Sequence, residues 1–205
     1  MKFARDGIPT IIASILVTLI FMFIHPFPTI VMCCMTAIVI WFYRDPERDI
    51  PSEAGLFVSP ADGKVVEIDS ASSKFVGESL KIGIFMNAFS VHINRAPCEG
   101  VIEYMDYVPG KKIAAFSPKA SEINERFYVG FNTVYGQVLL VQIAGLLARR
   151  IVCRRKVGEK LTRGERYGMI KLGSKVDVYL PKDVAIKVKI GDKVQAGKSI
   201  IAEVL

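Results

Sequence analysis

Two charge-free apolar runs limit what this chain can fold into. Residues 8–24, IPTIIASILVTLIFMFI, and residues 27–43, FPTIVMCCMTAIVIWFY, contain no Asp, Glu, Lys or Arg. Each is 17 residues long. As an α-helix that is roughly 25 Å, the short limit for crossing a bilayer core of about 30 Å. His25-Pro26-Phe27-Pro28 falls between them and predicts a turn, because proline ends a helix. Residues 1–43 are therefore expected to be a membrane anchor, as two short spanning helices or as a re-entrant hairpin. Both arrangements return the chain to the side on which it started. Lys2 and Arg5 flank one end and Arg44 and Arg48 the other, which predicts the cytoplasmic side of the cell membrane. A cleaved signal peptide does not fit, since no small-residue cleavage site follows the first run and a second apolar run does. Trp41 and Tyr43 suit the interface at the end of the second run.

After Tyr43 the character changes. Residues 44–55, RDPERDIPSEAG, are polar, carry two prolines and read as a linker. Residues 56–205 are long enough for one compact domain. Short segments rich in β-branched residues and bounded by Gly, Pro, Asp or Asn predict strands. They are Phe57–Ser59, Gly63–Ile68, Leu80–Met86, Gly100–Tyr107, Arg126–Phe131, Val134–Ile143, Lys175–Leu180 and Ile200–Val204. Ala88–His92 predicts one helical turn and Ala114–Glu125 a mobile loop. The expected fold class is mainly β. SPADGKVVEI and KIGDKVQAGKSIIAEV look alike, and both resemble strands of lipoyl- or biotinyl-type β-sandwiches, with Gly191 and Gly197 at turns. No EMKM-like lysine turn is present, so the scaffold is expected without the carrier function.

Four cysteines do not make a disulfide framework. Cys33 and Cys34 lie in the second apolar run, and Cys98 and Cys153 are isolated. No metal-ligand spacing is present. The net charge of +7 is uneven: Arg149, Arg150, Arg154, Arg155 and Lys156 crowd together, and Lys160, Arg163 and Arg166 follow. An anchored domain with such a segment is expected to meet an anionic membrane surface, where each cation contributes about 1 kcal/mol. A solvated basic face is the plainer alternative, and nucleic acid the least fitting.

The candidates for chemistry are few. Of two histidines, His25 lies in the apolar turn, which leaves His92 as the imidazole of the domain. A lone histidine is commonly a packed core residue; here Asn94, Arg95 and Pro97 follow and suggest a strand-end loop. Asp62 precedes Gly63, so a simple turn residue is one reading, and an acid–base partner is the other. Leu172-Gly173-Ser174 sits between a basic segment and the alternating run Val176, Val178, Leu180. If the backbone is strained there, the Ser174 hydroxyl can attack the Gly173 carbonyl, turning amide into ester. Elimination then breaks the chain and leaves a pyruvoyl group made from Ser174. Glycine before the serine suits both the strained turn and the close approach.

These residues occur within ordered blocks: FVSPADGKV at Phe57–Val65, SVHINRAP at Ser90–Pro97, KASEINER at Lys119–Arg126, QIAG at Gln142–Gly145 and RGERYGMIKLGSKVDVYLP at Arg163–Pro181. In order and content they resemble the short form of phosphatidylserine decarboxylase, a pyruvoyl-dependent membrane enzyme family, over most of residues 44–205. The resemblance implies self-cleavage between Gly173 and Ser174, giving chains of residues 1–173 and 174–205 that stay associated. It implies decarboxylation of phosphatidylserine to phosphatidylethanolamine through a pyruvoyl imine. Ser174, His92 and Asp62 are the implied catalytic residues, with Asp62 as the self-cleavage carboxylate. Arg95, Lys119 and Asn124 are the implied substrate-binding residues, and a homodimer is an implied assembly. One departure is visible. Longer members of the family carry YHxVHxP, and Arg95 stands where their second histidine falls. Arginine is a poor base, so either His92 serves both steps or Asp62 acts alone in cleavage. The same chemistry on archaetidylserine, or a non-enzymatic membrane-tethered lipoyl-like adaptor, would leave many of the same marks.

Overall fold

The computed structural model describes residues 2–115, 117, 119–146, 150–171 and 173–205. It divides into two compact units, Met1–Glu47 and Arg48–Leu205. In the first, two helices, α1 (Ile8–Met22) and α2 (Pro26–Phe42), are closed at the base by paired strands β1 (Lys2–Phe3) and β2 (Arg44–Asp45). Pro26 begins α2 rather than lying in the turn. Its fixed φ suits a first helical position, and His25 Nδ1 accepts the Phe27 N–H at 3.2 Å as the N-cap. Thr18 Oγ1 and Thr36 Oγ1 are 2.9 Å apart, and Thr36 also donates to the Ser14 carbonyl, so the helices meet through small polar residues. Many of their apolar side chains point outward, with Ile20 of α1 60% and Ile30 of α2 63% exposed. The stretch Arg5–Met22, 18 residues, is long and apolar enough to cross a bilayer, and Pro26–Phe42 is shorter.

The second unit is mainly β. In chain order it runs β3 (Leu56–Val58), β4 (Gly63–Ser73), β5 (Gly77–Met86), β6 (Ile93–Arg95), β7 (Gly100–Val108), the short helix α3 (Ala120–Ile123), β8 (Arg126–Thr133) and β9 (Gly136–Ala144). It continues through β10 (Ile151–Cys153), β11 (Lys160–Leu161), β12 (Arg166–Ile170), β13 (Ser174–Leu180), β14 (Val184–Ile186), β15 (Lys193–Val194) and β16 (Ile200–Val204). An eight-stranded antiparallel sheet has the order β11-β7-β8-β9-β13-β5-β4-β15. Two three-stranded sheets, β10-β12-β6 and β14-β16-β3, complete the unit. The alternation of β13 sends Val176, Val178 and Leu180 into one core with Ile82, Ile84 and Met86 of β5 and Val138, Leu140 and Ala144 of β9. Phe57, Tyr167 and Ile201 join it from the smaller sheets. The opposite face carries a second cluster of Leu139, Val141 and Ile143 against Phe75, Tyr128 and Tyr179.

The eight strands expected from sequence are present, with altered ends. The first of the β4–β5 pair continues to Ser73, because Ser70–Ser73 find partners in Gly77–Leu80 across a turn that needs Gly77 at φ +74°. Ala88–His92 is not helical. It is a turn in which Asn87 Oδ1 accepts from the amides of Phe89 and Ser90 at 2.9 and 3.1 Å. Ala114–Glu125 contains α3 and is pinned at its base, where Lys111 N–H donates to Ile123 and Glu125 N–H to Lys111. The two look-alike segments pair with each other: Lys193 faces Lys64 and Val194 faces Gly63, while the Val65 N–H donates to Asp192 O at 2.9 Å.

Candidate active site

Ser174 begins β13 and lies between two strands, facing Ala144 of β9 and Met86 of β5. It is fully buried, and its Oγ has no hydrogen-bond partner among the described residues. An unpaired buried hydroxyl costs about 1–3 kcal/mol, so a protein built only for stability would avoid one here. Gly173 before it has φ +57°, the left-handed region, while nothing lies within 4 Å of where a Cβ would be. The need for glycine at 173 is thus conformational. At Gly145 the need is steric: an added Cβ would strike the Gly173 carbonyl. The carbonyl that Ser174 would attack therefore rests against bare backbone, with Ala115 beside it. Leu172, the first residue of the motif, lies outside the described residues, as does Arg149.

His92 is also fully buried, one residue before β6. Its Nδ1 is 2.8 Å from the Ser90 carbonyl oxygen, which can only accept. Nδ1 therefore carries a proton, and in the neutral form of the ring Nε2 is the basic nitrogen. His92 O accepts the Ile170 N–H at 3.4 Å, so the histidine stands across from the end of β12, the strand that leads into Ser174. Two residues on, Asn94 Nδ2 approaches Met86 Sδ at 3.8 Å, and its Oδ1 accepts from Gln142 Nε2 at 2.8 Å. Gln142 faces Val176, and Met86 faces Ser174. A buried amide pair thus ties the histidine's strand to the serine's. Gln142 Oε1 and Tyr167 Oη are buried without a hydrogen-bond partner among the described residues, and burial pushes the Tyr167 hydroxyl pKa well up.

The other expected site residues are more dispersed. Asp62 accepts from Arg48 at 2.8 Å and from the Ala196 N–H at 2.7 Å. It is not hydrogen-bonded to Ser174, whose Oγ has no partner among the described residues. Asn124 is buried, and its amide bonds to both backbone groups of Ile113 (3.0 and 2.9 Å) and to Ala144 O (2.7 Å), the residue opposite Ser174. Arg95 is buried and donates to Gly164 O at 3.0 Å. Lys119 is exposed at the start of α3 and offers its carbonyl to Glu122 and Ile123. Serine, histidine and Asn124 are thus linked through Met86, the Asn94–Gln142 pair and Ala144. Asp62, Arg95 and Lys119 bond elsewhere. The basic segment is partly consumed: Arg155 pairs with Glu165 at 2.7 Å, and Arg163 donates to Pro51 and Glu53 carbonyls.

Gln142, Asn94 and Gly145 were not singled out from the sequence as site residues. The signal was available for Gln142, a polar residue at a core-facing position of VLLVQIA. Ser174, with a glycine of left-handed φ before it and a carbonyl held against Gly145, fits the origin of a pyruvoyl group.

The comparisons with known proteins agree on one family. The family model described as phosphatidylserine decarboxylase matches residues 35–202. A phosphatidylserine decarboxylase proenzyme of Symbiobacterium thermophilum is 45% identical over 201 residues, 97% of this chain and 94% of its own length. The protein of the same name from Desulfotalea psychrophila is 41% identical over 206 residues, covering 98% and 96%. That of Nitrosomonas eutropha is 45% identical over 203 residues, covering 98% and 94%.

Proposed function

The chain belongs to the phosphatidylserine decarboxylase family, and from that premise we propose how its residues divide the work. The activity is decarboxylation of phosphatidylserine to phosphatidylethanolamine by a pyruvoyl-dependent proenzyme that cuts itself. Ser174 is the residue that cuts and is converted. The observation that carries this reading is its buried, unpartnered Oγ directly after a left-handed glycine.

In the cut, Ser174 Oγ attacks the carbonyl carbon of Gly173. The C–N bond breaks, the hydroxyl proton passes to the freed nitrogen, and an ester joins the two residues. Loss of the Ser174 Cα proton then expels Gly173 as a carboxylate. The resulting enamine tautomerises, and water replaces its nitrogen, releasing ammonia and leaving a ketone. His92, whose Nδ1 is held by Ser90 O so that Nε2 is left as its basic nitrogen, is the first candidate to take these protons. Asp62 is the second candidate; its bonds to Arg48 and Ala196 give it a bracing role across the cut as well.

When formed, the pyruvoyl group supplies an electrophilic carbonyl for the substrate amine and a sink for the electrons released with carbon dioxide. The chain's own part is to exclude water and to move protons. Met86, Ala144 and Val176, all fully buried, keep the site dry. His92 holds at Nε2 the proton that replaces the departing carboxylate. Asn124 fixes Ala144, and Arg95 braces the turn at Gly164.

α1 and α2 act as the membrane anchor, supported by their outward apolar faces, and the cationic flanks Lys2, Arg5, Arg44 and Arg48 favour a cytoplasmic catalytic unit. Exposed Lys156 and Arg154 are the cations of the basic segment best placed for anionic lipid. The pairing of the two look-alike segments supports a lipoyl-like scaffold. Intact-mass measurement of the purified protein tests the reading. Two chains divided between Gly173 and Ser174, the smaller with a pyruvoyl terminus, are expected. One chain of 22.7 kDa with full decarboxylase activity would overturn it.

A further inference from the structure

The face of β13 that turns away from the core carries a polar construction that the proposed chemistry does not use. Lys175 and Asp177 alternate with Ser174, Val176 and Val178 and so point to the opposite side. Such a face ordinarily meets water. Here Lys175 is 3% exposed and Asp177 1%. Lys175 Nζ bonds to the Glu67 carboxylate, lies 3.0 Å from Asp177 Oδ1 and donates to Ser121 Oγ at 3.0 Å. Lys81 of β5 bridges Glu67 at 2.6 Å and Asp177 at 3.3 Å. Ser121 Oγ donates to Asp177 Oδ2 at 3.0 Å.

The backbone makes room for this cluster. A Cβ on Gly83, which faces Asp177 across β5, would press on Lys175 Cε at 2.6 Å and on Asp177 and Glu67 at 3.0 Å. Burying three charges, Lys81, Lys175 and Asp177, beside a half-buried Glu67 costs several kcal/mol per buried ion before their attraction is counted, and apolar residues commonly fill such a place as stably. The arrangement also has a direction. It joins β4, β5 and β13 to α3, and α3 ends at Asn124, which holds the partner of Ser174 through Ala144 O.

We propose that Lys175, Asp177, Glu67, Lys81 and Ser121 form a lock that positions residue 174 and retains it after the chain is cut. This rests on the reading that the cut falls between Gly173 and Ser174. Until then residue 174 is tethered on both sides. Afterwards its only covalent neighbour is Lys175, and a strand end of that kind frays. A displacement of 1 Å at a reacting group costs about 10²-fold in rate. Lys175, buried and bound to two carboxylates and a hydroxyl, is where such movement is stopped. These are positioning residues, acting through the backbone of Lys175.

The test uses the full-length protein with Lys175→Met, Lys175→Arg and Ser121→Ala. Lys182→Met is the control, breaking the exposed Lys182–Glu78 pair beyond the far end of β13. Each is followed by intact mass, melting temperature, kcat and KM on phosphatidylserine in mixed micelles, and the rate of pyruvoyl reduction by borohydride. In cut Lys175→Met enzyme, kcat is expected to fall about 10- to 100-fold at unchanged KM, with faster reduction of the loosened terminus. Lys175→Arg should recover much of the loss. Should Lys175→Met fail to fold, Ser121→Ala decides: about tenfold lower kcat is expected, the effect of one weakened hydrogen bond to a charged group. A kcat equal to that of Lys182→Met, or one that falls only as melting temperature falls, overturns the lock. An uncut wild-type chain would instead sink the cleavage reading and the lock with it.

Discussion

β13 presents two faces that differ completely in content. The inner face offers Ser174, Val176, Val178 and Leu180, one hydroxyl at the head of an aliphatic row. The outer face offers Lys175, Asp177 and Tyr179, two charges bound into a network and a phenol whose pKa burial pushes up to about 12. Both faces are largely dry, yet among the described residues one holds its hydroxyl without a hydrogen-bond partner and the other pairs its charges with opposite ones, Asp177 Oδ1 through an ion pair alone. The contrast separates reactivity from placement. An unpaired nucleophile is useful where chemistry happens, and a paired cluster is useful where nothing should move.

The inner face breaks most completely at its first residue. Ser174→Ala should leave one uncut chain of 22.7 kDa with no decarboxylation, read by gel and by headgroup assay. Next in size is His92→Ala: cutting should slow, and in whatever chain is cut kcat should drop by about 10²–10⁴-fold, the range for removing a general acid–base group, while the fold is kept. Leu180→Ala tests the aliphatic row by itself and should lower unfolding free energy by about 2–5 kcal/mol in urea titration. Activity of whatever remains folded should be little changed.

The outer face responds to acid. Burial by itself would raise the Glu67 carboxyl, but the hydrogen bonds and charges of Lys175 and Lys81 outweigh it and hold the group below its ordinary value of 4.5. A depressed carboxyl contributes stability above its unfolded pKa and loses it as pH falls through the folded value. Wild type should therefore exceed Glu67→Gln in stability at neutral pH, and the gap should close below about pH 4. A gap independent of pH would mean that Glu67 acts by packing. The smallest effect concerns Cys98, whose thiol burial pushes up to about 12 despite Arg163 nearby. It should resist alkylation in the native protein and react once urea unfolds it.

The two faces were unequally legible in the sequence. Alternating Val176, Val178 and Leu180 announce a strand, and Leu172-Gly173-Ser174 suggests the proposed chemistry, because both signals are local. Lys175 and Asp177 read as the watery side of the same strand. Only the folded chain brings Glu67, Lys81 and Ser121 over them, from 108, 94 and 54 positions away from Lys175. The short strands Ile93–Arg95, Ile151–Cys153 and Arg166–Ile170 were missed for a related reason. Their pairing with one another defines them, and three to five residues carry too little period to read. The helices showed plainly, since charge-free runs need no partner to be seen. The Asn94–Gln142 tie was hidden because neither residue is unusual until 48 positions of separation are closed to 2.8 Å.

If the cut falls between Gly173 and Ser174, as proposed, the place of β13 between β9 and β5 makes it a change in molecularity. An uncut chain folds as one body, at a rate indifferent to its concentration. Once residues 174–205 are a separate strand-forming piece, recovery from denaturation requires two molecules to find each other, with the incoming one threading the middle of a sheet rather than adding to its edge. Maturation thus exchanges reversibility for function. On that proposal the mature enzyme carries a memory of having folded first and been cut second, and reassembly from its parts slows with dilution.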